Sequence, residues 1–230
     1  MLSERWLEFC HLKNNMGSLL MARFRLNLKK AALIFTHPDD DTLRAGETIL
    51  SHSSWDWFIV SLSRGGETDH AQNFLHDLQQ FEAKGVIRNL DTINDQNPLD
   101  ETELKHTILA LLPEHYFSLV ISHYPAGEYT DHNRHDETGK SVILLWHSGI
   151  ITAAEFRAFA SEDGKKSYLP KPIETAGIYK LLTKRIWKEK QNIITEIYGF
   201  DLNSFEAKTT TIAESSWPFS SSFEAKKPFR

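Results

Sequence analysis

His37-Pro38-Asp39-Asp40-Asp41 stands between an apolar run, Ala31-Ala32-Leu33-Ile34-Phe35, and a stretch from Thr42 to Leu50 that reads as a helix. One imidazole and three carboxylates therefore fall where a strand gives way to a helix. In an open parallel sheet the carboxyl ends of strands are where ligands gather. Pro38 fixes its own φ and drives His37 towards an extended conformation. The acids that follow fall in the first helical turn, where the macrodipole favours negative charge. Two readings compete. One is an acidic helix start, because Asp caps helices. The other is a metal site, with imidazole and carboxylate three residues apart across a tight turn aimed at one ion. A catalytic zinc takes three protein ligands and keeps one position open, so a third ligand elsewhere decides.

From residue 31 onward, apolar and β-branched runs alternate with helix-like stretches. The pattern predicts strands at about 31–36, 56–62, 91–94 and 117–122, and helices at about 41–52, 70–84, 101–112 and 134–148. That alternation argues for βαβ units. Further on, 154–160 reads as a strand, 161–166 as a loop, 176–182 as an edge strand and 184–198 as a helix with Lys188, Glu189 and Lys190 solvated. Residues 215–219 and the Ser/Lys-rich end read as a partly ordered tail at a subunit contact. Ser-Phe-Glu-Ala-Lys occurs twice, at 204–208 and 222–226, with no evident reason in the sequence. No linker divides the chain, so 31–230 is expected to be a single domain and 1–30 a peripheral extension.

A chain of 230 residues is ordinary for one α/β domain. Its net charge of -5 and pI near 6.1 give no overall basic footprint for nucleic acid. The single cysteine, Cys10, excludes a disulfide framework and a thiolate zinc cluster, and suits a reducing compartment. No apolar run is long enough to span a bilayer, and a cytoplasmic setting is the expectation. A homo-oligomer is left open.

On this scaffold His37, Arg64-Gly65-Gly66-Glu67, Asp95 and His123 follow successive strands and map to one sheet edge. Beyond His123 comes a second polar cluster, Glu128-Tyr129-Thr130-Asp131-His132-Asn133-Arg134-His135-Asp136-Glu137. His132 and His135 are three apart and share a helical face. His135 can complete a His37/Asp40/His135 set, while His132 hangs over the same ion without having to bind it.

With these residues the chain resembles the PIG-L/LmbE-like family of zinc-dependent N-acetylglucosaminyl deacetylases. The family's first motif is His-Pro-Asp-Asp-Glu, and a distal His-x-x-His follows. The likeness runs from about Ala31 to about Thr210, with Gly127-Glu128-Tyr129, Tyr198-Gly199-Phe200 and Ser204-Phe205-Glu206 also similar. It implies an α/β fold, a Rossmann-like three-layer sandwich with a mostly parallel sheet and helices on both faces. It implies that His37, Asp40 and His135 bind Zn2+ or another divalent metal. Asp39 would be general base, and His132 would steady the oxyanion or protonate the leaving amine. Asp41 stands where glutamate is usual, and Asn133-Arg134 fill the distal pair in place of the frequent Pro-Asp.

The substrate implied is a small sugar or glycoconjugate carrying an N-acetylglucosamine-type group, with no nucleic acid and no membrane span. Arg64, Asp95, His123 and Tyr129 are the candidates to contact it, with Tyr124 a second ring for stacking. The alternatives are a zinc amidase on a thiol-sugar conjugate and a non-catalytic metal- or sugar-binding protein of the same fold. A nucleotide-binding Rossmann protein is disfavoured, because no Gly-x-Gly-x-x-Gly follows the first strand.

Overall fold

The computed structural model describes residues 28–90, 97–125, 128–129 and 133–226. Seven strands form one sheet in the order β3-β2-β1-β4-β5-β9-β8. Strands β1 (Lys30–Phe35), β2 (Asp56–Ser61), β3 (Lys84–Ile87), β4 (Tyr116–Ser122) and β5 (Thr152–Phe159) run parallel. The last two, β8 (Ile178–Leu181) and β9 (Ala213–Phe219), complete it, with β9 antiparallel to both β5 and β8. A two-stranded ribbon pairs β6 (Ser161–Glu162) with β7 (Lys171–Pro172).

The centre of the sheet is β1, and Ala31 to Phe35 are all 0% exposed. This is why the strand reads as an unbroken apolar run rather than an alternating one. Its residues feed two cores in turn. Ala31, Leu33 and Phe35 face Leu43 and Ile49 of α1, a π-helical turn over Asp41–Ala45 that runs on as α-helix over Gly46–Ser51. The same core takes Phe74 and Leu78 of α2 (Thr68–Gln80). It also takes Ile193 and Ile194 of the π-helical turn Ile193–Ile197 that ends α5 (Lys184–Asn192). Ala32 and Ile34 face Leu104 and Ile108 of α3 (Glu101–Leu111) and Val142 and Ile143 of α4 (Asn133–His147). Each fully buried side chain of this kind contributes roughly 1.5–3 kcal/mol. The expected Rossmann-like sandwich, a mostly parallel sheet with helices on both faces, is the fold observed.

The order also fixes where a site can form. From β1 the chain moves outward through β2 and β3, then returns to place β4 on the other flank of β1. The crevice between the carboxyl ends of β1 and β4 is thus the topological switch point. Register brings the two ends level, with Ile34 opposite Ser122, so Thr36 and His123 emerge side by side. Approach of α4 to this point depends on Gly139, where a Cβ would lie 2.4 Å from the His123 carbonyl oxygen.

The structure departs from expectation at five places. A strand not expected from the sequence, Lys84–Ile87, is the third in the chain, and the strand expected at 91–94 lies outside the described residues. The helix expected to reach 84 stops at Gln80, because Glu82 adopts φ 51 and the Ala83 amide turns back to the Leu78 carbonyl at 2.9 Å. Residues 215–219 are not a loose tail. They belong to β9, inside the sheet, and Pro218 is tolerated because β8 pairs only as far as Ser216. Lys190 is not solvated but 0% exposed, and the 161–166 loop opens with β6. Residues 1–27, most of the expected extension, lie outside the described residues. No helix among the described residues is long and apolar enough to cross a membrane.

Candidate metal centre

Thr36 ties the end of β1 to its surroundings. Its amide donates to His123 Nε2 at 3.0 Å, its hydroxyl lies 3.1 Å from the Thr138 hydroxyl of α4, and its carbonyl accepts from the Ser63 hydroxyl at 2.8 Å. The chain then turns through Pro38, with the Asp40 amide on the His37 carbonyl at 3.1 Å and the His37 amide on Asp40 Oδ2 at 3.2 Å. The Tyr198 hydroxyl donates to the Pro38 carbonyl from the far side.

Three donor atoms converge on this turn. His37 Nδ1 lies 3.1 Å from His135 Nε2 and 3.5 Å from Asp40 Oδ2, and His135 Nε2 lies 3.6 Å from the same oxygen. A tetrahedral ion with bonds of roughly 2.0–2.1 Å spaces its ligands about 3.3–3.5 Å apart, so the set fits one divalent cation. Burial opposes charge on Asp40, but the surrounding imidazoles, His135 first, more than offset this and hold the carboxyl well below its usual range. Burial, then the neighbouring His123, pushes His135 down to about 3, which leaves the neutral imidazole a ligand must be.

Glu128 aims that imidazole. Its carboxylate takes His135 Nδ1 at 3.1 Å, His123 Nδ1 at 2.9 Å and the Tyr124 amide at 3.0 Å. With Nδ1–H given to Glu128, His135 turns its Nε2 lone pair towards His37 and Asp40, the carboxylate–histidine arrangement that supports metal ligands. Burial pushes Glu128 up, but the two imidazoles outweigh it and hold it at about 2. His123 is itself committed: it is 1% exposed, donates from Nδ1 to Glu128, and accepts the Thr36 amide on Nε2.

Asp39 belongs to neither of the two histidine–carboxylate groups whose ligand atoms lie within 4.8 Å of one another. Burial, then the charge of Asp40, pushes its carboxyl up to about 6. Behind the loop, Asp41 and Asp77 are both 0% exposed and each feels the other's carboxyl. Burial raises Asp41 well above its usual value and Asp77 to about 7, so the pair carries a proton at neutral pH. Asp77 Oδ2 also accepts from the Thr42 hydroxyl at 2.9 Å and lies 3.2 Å from the Tyr198 hydroxyl.

The other residues singled out from sequence are placed as follows. The Tyr129 ring meets His135 edge-on at 6.1 Å and carries the Arg44 guanidinium over its face at 4.5 Å. Arg64, in a left-handed conformation (φ 62), gives its guanidinium to Glu67 at 3.1 and 3.0 Å and to His70. The Tyr124 ring packs against Phe219 at 5.8 Å. His132 and Asp95 lie outside the described residues. Sequence reasoning missed the roles of Glu128, Asp77, Arg44 and Tyr198. Asp77 left a physical signal, as an acid on the apolar stripe of α2 between Phe74 and Leu78, and Glu128 and Tyr198 stood in the family-like motifs without their roles being evident.

A sequence model described as PIG-L: GlcNAc-PI de-N-acetylase matches residues 32–145. No curated protein sequence matches the chain. Among solved structures, N,N'-diacetylchitobiose deacetylase from Pyrococcus horikoshii, in complex with its inhibitor MPG, is similar with a TM-score of 0.64 and 15% identity, over 94% of this chain and 96% of that one. GalB, the 4-carboxy-2-hydroxymuconate hydratase from Pseudomonas putida KT2440, matches with a TM-score of 0.56 and 13% identity, over 83% and 96%. A deacetylase of teicoplanin biosynthesis matches with a TM-score of 0.56 and 13% identity, over 82% and 97%. At such identities the likeness is one of fold. The stretch matched by the family runs from β1 into α4 and includes His37, Asp40 and His135; over that stretch, just under half of its length, the chain carries a PIG-L family match.

Proposed function

We propose that the protein is a metal-dependent N-deacetylase, zinc being the first candidate, acting on an N-acetylglucosamine-type sugar or conjugate. The observation that carries this reading is the convergence of His37, Asp40 and His135 at 3.1–3.6 Å beside a carboxyl, Asp39, that is not part of the set. A divalent cation held there would lower the pKa of a bound water towards neutrality and polarise the amide carbonyl. Asp39 would take the proton of the attacking water. His132, given that role by the family resemblance, would face the developing oxyanion or the leaving nitrogen. Glu128 would keep His135 in the ligating tautomer, and His123 would brace Glu128.

The test is release of free amine from a panel of N-acetylglucosamine conjugates, with protein stripped by chelator and then titrated with Zn2+, Co2+ or Mn2+. Turnover should vanish on stripping and return near one equivalent. The titration has to start below that point, because teicoplanin deacetylase has been solved in a zinc-inhibited form. Persistence of activity in stripped protein would sink metal dependence. Silence across the panel with metal bound would shift weight to other metal-assisted water chemistry, since a hydratase shares this fold.

Glu128→Gln gives a second readout that needs no substrate. It removes the charge that orients His135, so metal affinity should drop about 10–100-fold in a protein that is still folded by circular dichroism. Unchanged affinity would deny Glu128 that role.

A further inference from the structure

A cleft of about 540 Å³ opens next to the ligand cluster, walled by Tyr129, Tyr168, Leu169, Pro170 and Phe205, with Asp163 and Lys166 at its polar side. We propose that this cleft seats an uncharged ring carried by the substrate beyond its acylated amine, either a second sugar or an aryl group. The proposal rests on the deacetylase reading above. Tyr129 links the cleft to the ligand cluster. Its ring stands 6.1 Å from that of His135 on one side and 6.3 Å from that of Phe205 on the other. The cleft therefore begins one ring's width from the metal ligands. Its volume falls within the range of small-molecule sites, roughly 300–1,000 Å³.

The walls are built for this rather than left over from packing. Tyr168, Leu169 and Phe205 are 43%, 46% and 42% exposed, so three large apolar groups stay open at one place. The repeated Ser-Phe-Glu-Ala-Lys now has a physical account. Both copies fold as one helical turn, α6 (Phe205–Thr209) and α7 (Ser222–Lys226), anchored by a buried alanine, Ala207 or Ala225, with its phenylalanine left outward. In the second copy Phe223 meets His147 at 4.7 Å; in the first, Phe205 is delivered to the cleft.

The opposite wall is preset. Gly164, Lys165 and Lys166 take φ of 59, 59 and 67, and the Asp163 carbonyl accepts the Ser167 and Tyr168 amides at 2.9 and 3.1 Å. The Tyr168 ring lies directly on Gly164, where a Cβ would come within 2.3 Å of it. Three consecutive left-handed residues are a costly way to turn a chain, and such backbone clusters at ligand clamps. Aromatic faces suit the apolar face of a flat ring, and the lining itself carries one acid, Asp163, and one base, Lys166.

The test compares free N-acetylglucosamine with its phenyl β-glycoside, its octyl β-glycoside and N,N'-diacetylchitobiose. Binding is measured by calorimetry on metal-loaded protein, and KM by amine release. The two ring-bearing ligands should bind roughly three- to tenfold more tightly than the free sugar. Phe205→Ala and Tyr168→Ala should each erase most of that margin, whereas Ile150→Ala, at an exposed site outside the cleft lining, should preserve it. Whichever of the phenyl group and the second sugar gains more identifies the source of the ring. Equal binding of all four ligands, no binding of any, a margin that survives both variants, or an octyl chain that gains as much as the rings would each overturn the proposal. A ring margin without amine release would uphold the cleft and overturn the deacetylase reading instead.

Discussion

Asp39→Asn is expected to cut amine release by about 10²–10⁴-fold, the usual contribution of a general base, while the protein keeps its divalent metal. Asp40 supplies an oxygen to the three-atom cluster, and Asp39 does not. Asparagine preserves the size of the side chain, and the turn is held by backbone contacts that it leaves alone, including the Leu43 amide on the Asp39 carbonyl at 3.0 Å. It also removes a buried negative charge next to Asp40 and Glu206, so the fold should not suffer. Asp40→Asn makes the contrast, because it takes the charge from the ligand itself and should lose metal along with activity. Metal content by mass spectrometry and thermal midpoint decide the case beside the rate. An Asp39→Asn protein that loses its metal, or turns over within a few-fold of wild type, would remove Asp39 from the role.

How far this was legible in advance depends on how local each feature is. His37 to Asp41 could be read because strand, turn and helix start lie within a few residues and each leaves its own signature. The third strand could not. Lys84–Ile87 is four residues with a glycine, partly exposed at the edge of the sheet, and the helical periodicity before it runs on past the residue where the backbone breaks. The supports of the site were hidden for a different reason. Asp41 and Asp77 are 36 positions apart, and neither sequence neighbourhood shows that they share a proton. Glu128 is close to His123 and His135 in sequence, yet its joint contact with both depends on the approach of α4 to β4. Lys190 presents an outright conflict. Its spacing from Ile186 and Ile193 puts it on the buried stripe of α5, while its chemistry says surface, and the stripe wins.

That buried lysine carries the largest expected effect on stability. Lys190→Met should cost about 3–5 kcal/mol, the penalty for stranding a buried charge, and lower the thermal midpoint by roughly 6–20 °C for a chain of this size. Its ammonium is paired with Glu214 Oε1 and lies 3.4 Å from the Leu43 carbonyl, so it joins α5 and β9 to the turn that follows the ligand loop. Glu214 Oε1 also accepts the Glu47 amide at 2.9 Å. Glu47 and Arg44 are the other charges at this place, and Lys180 reaches Glu47 from β8. Burial pushes Lys190 down and Glu214 up, and each partly restores the other. Methionine fills the space of the stem but leaves Glu214 without its cation. A carboxyl whose folded pKa is raised holds a proton that the unfolded chain releases, so its burden on stability is absent at pH below the unfolded value and grows as pH rises towards the folded one. The gap between wild type and Lys190→Met should therefore be narrower at pH 5 than at pH 8. Adding Glu214→Gln should recover much of the loss at pH 8, since it removes the stranded charge while keeping an acceptor for the Glu47 amide. A gap that is the same at both pH values and untouched by the second substitution would mean that Lys190 acts through the packing of its stem and not through its charge.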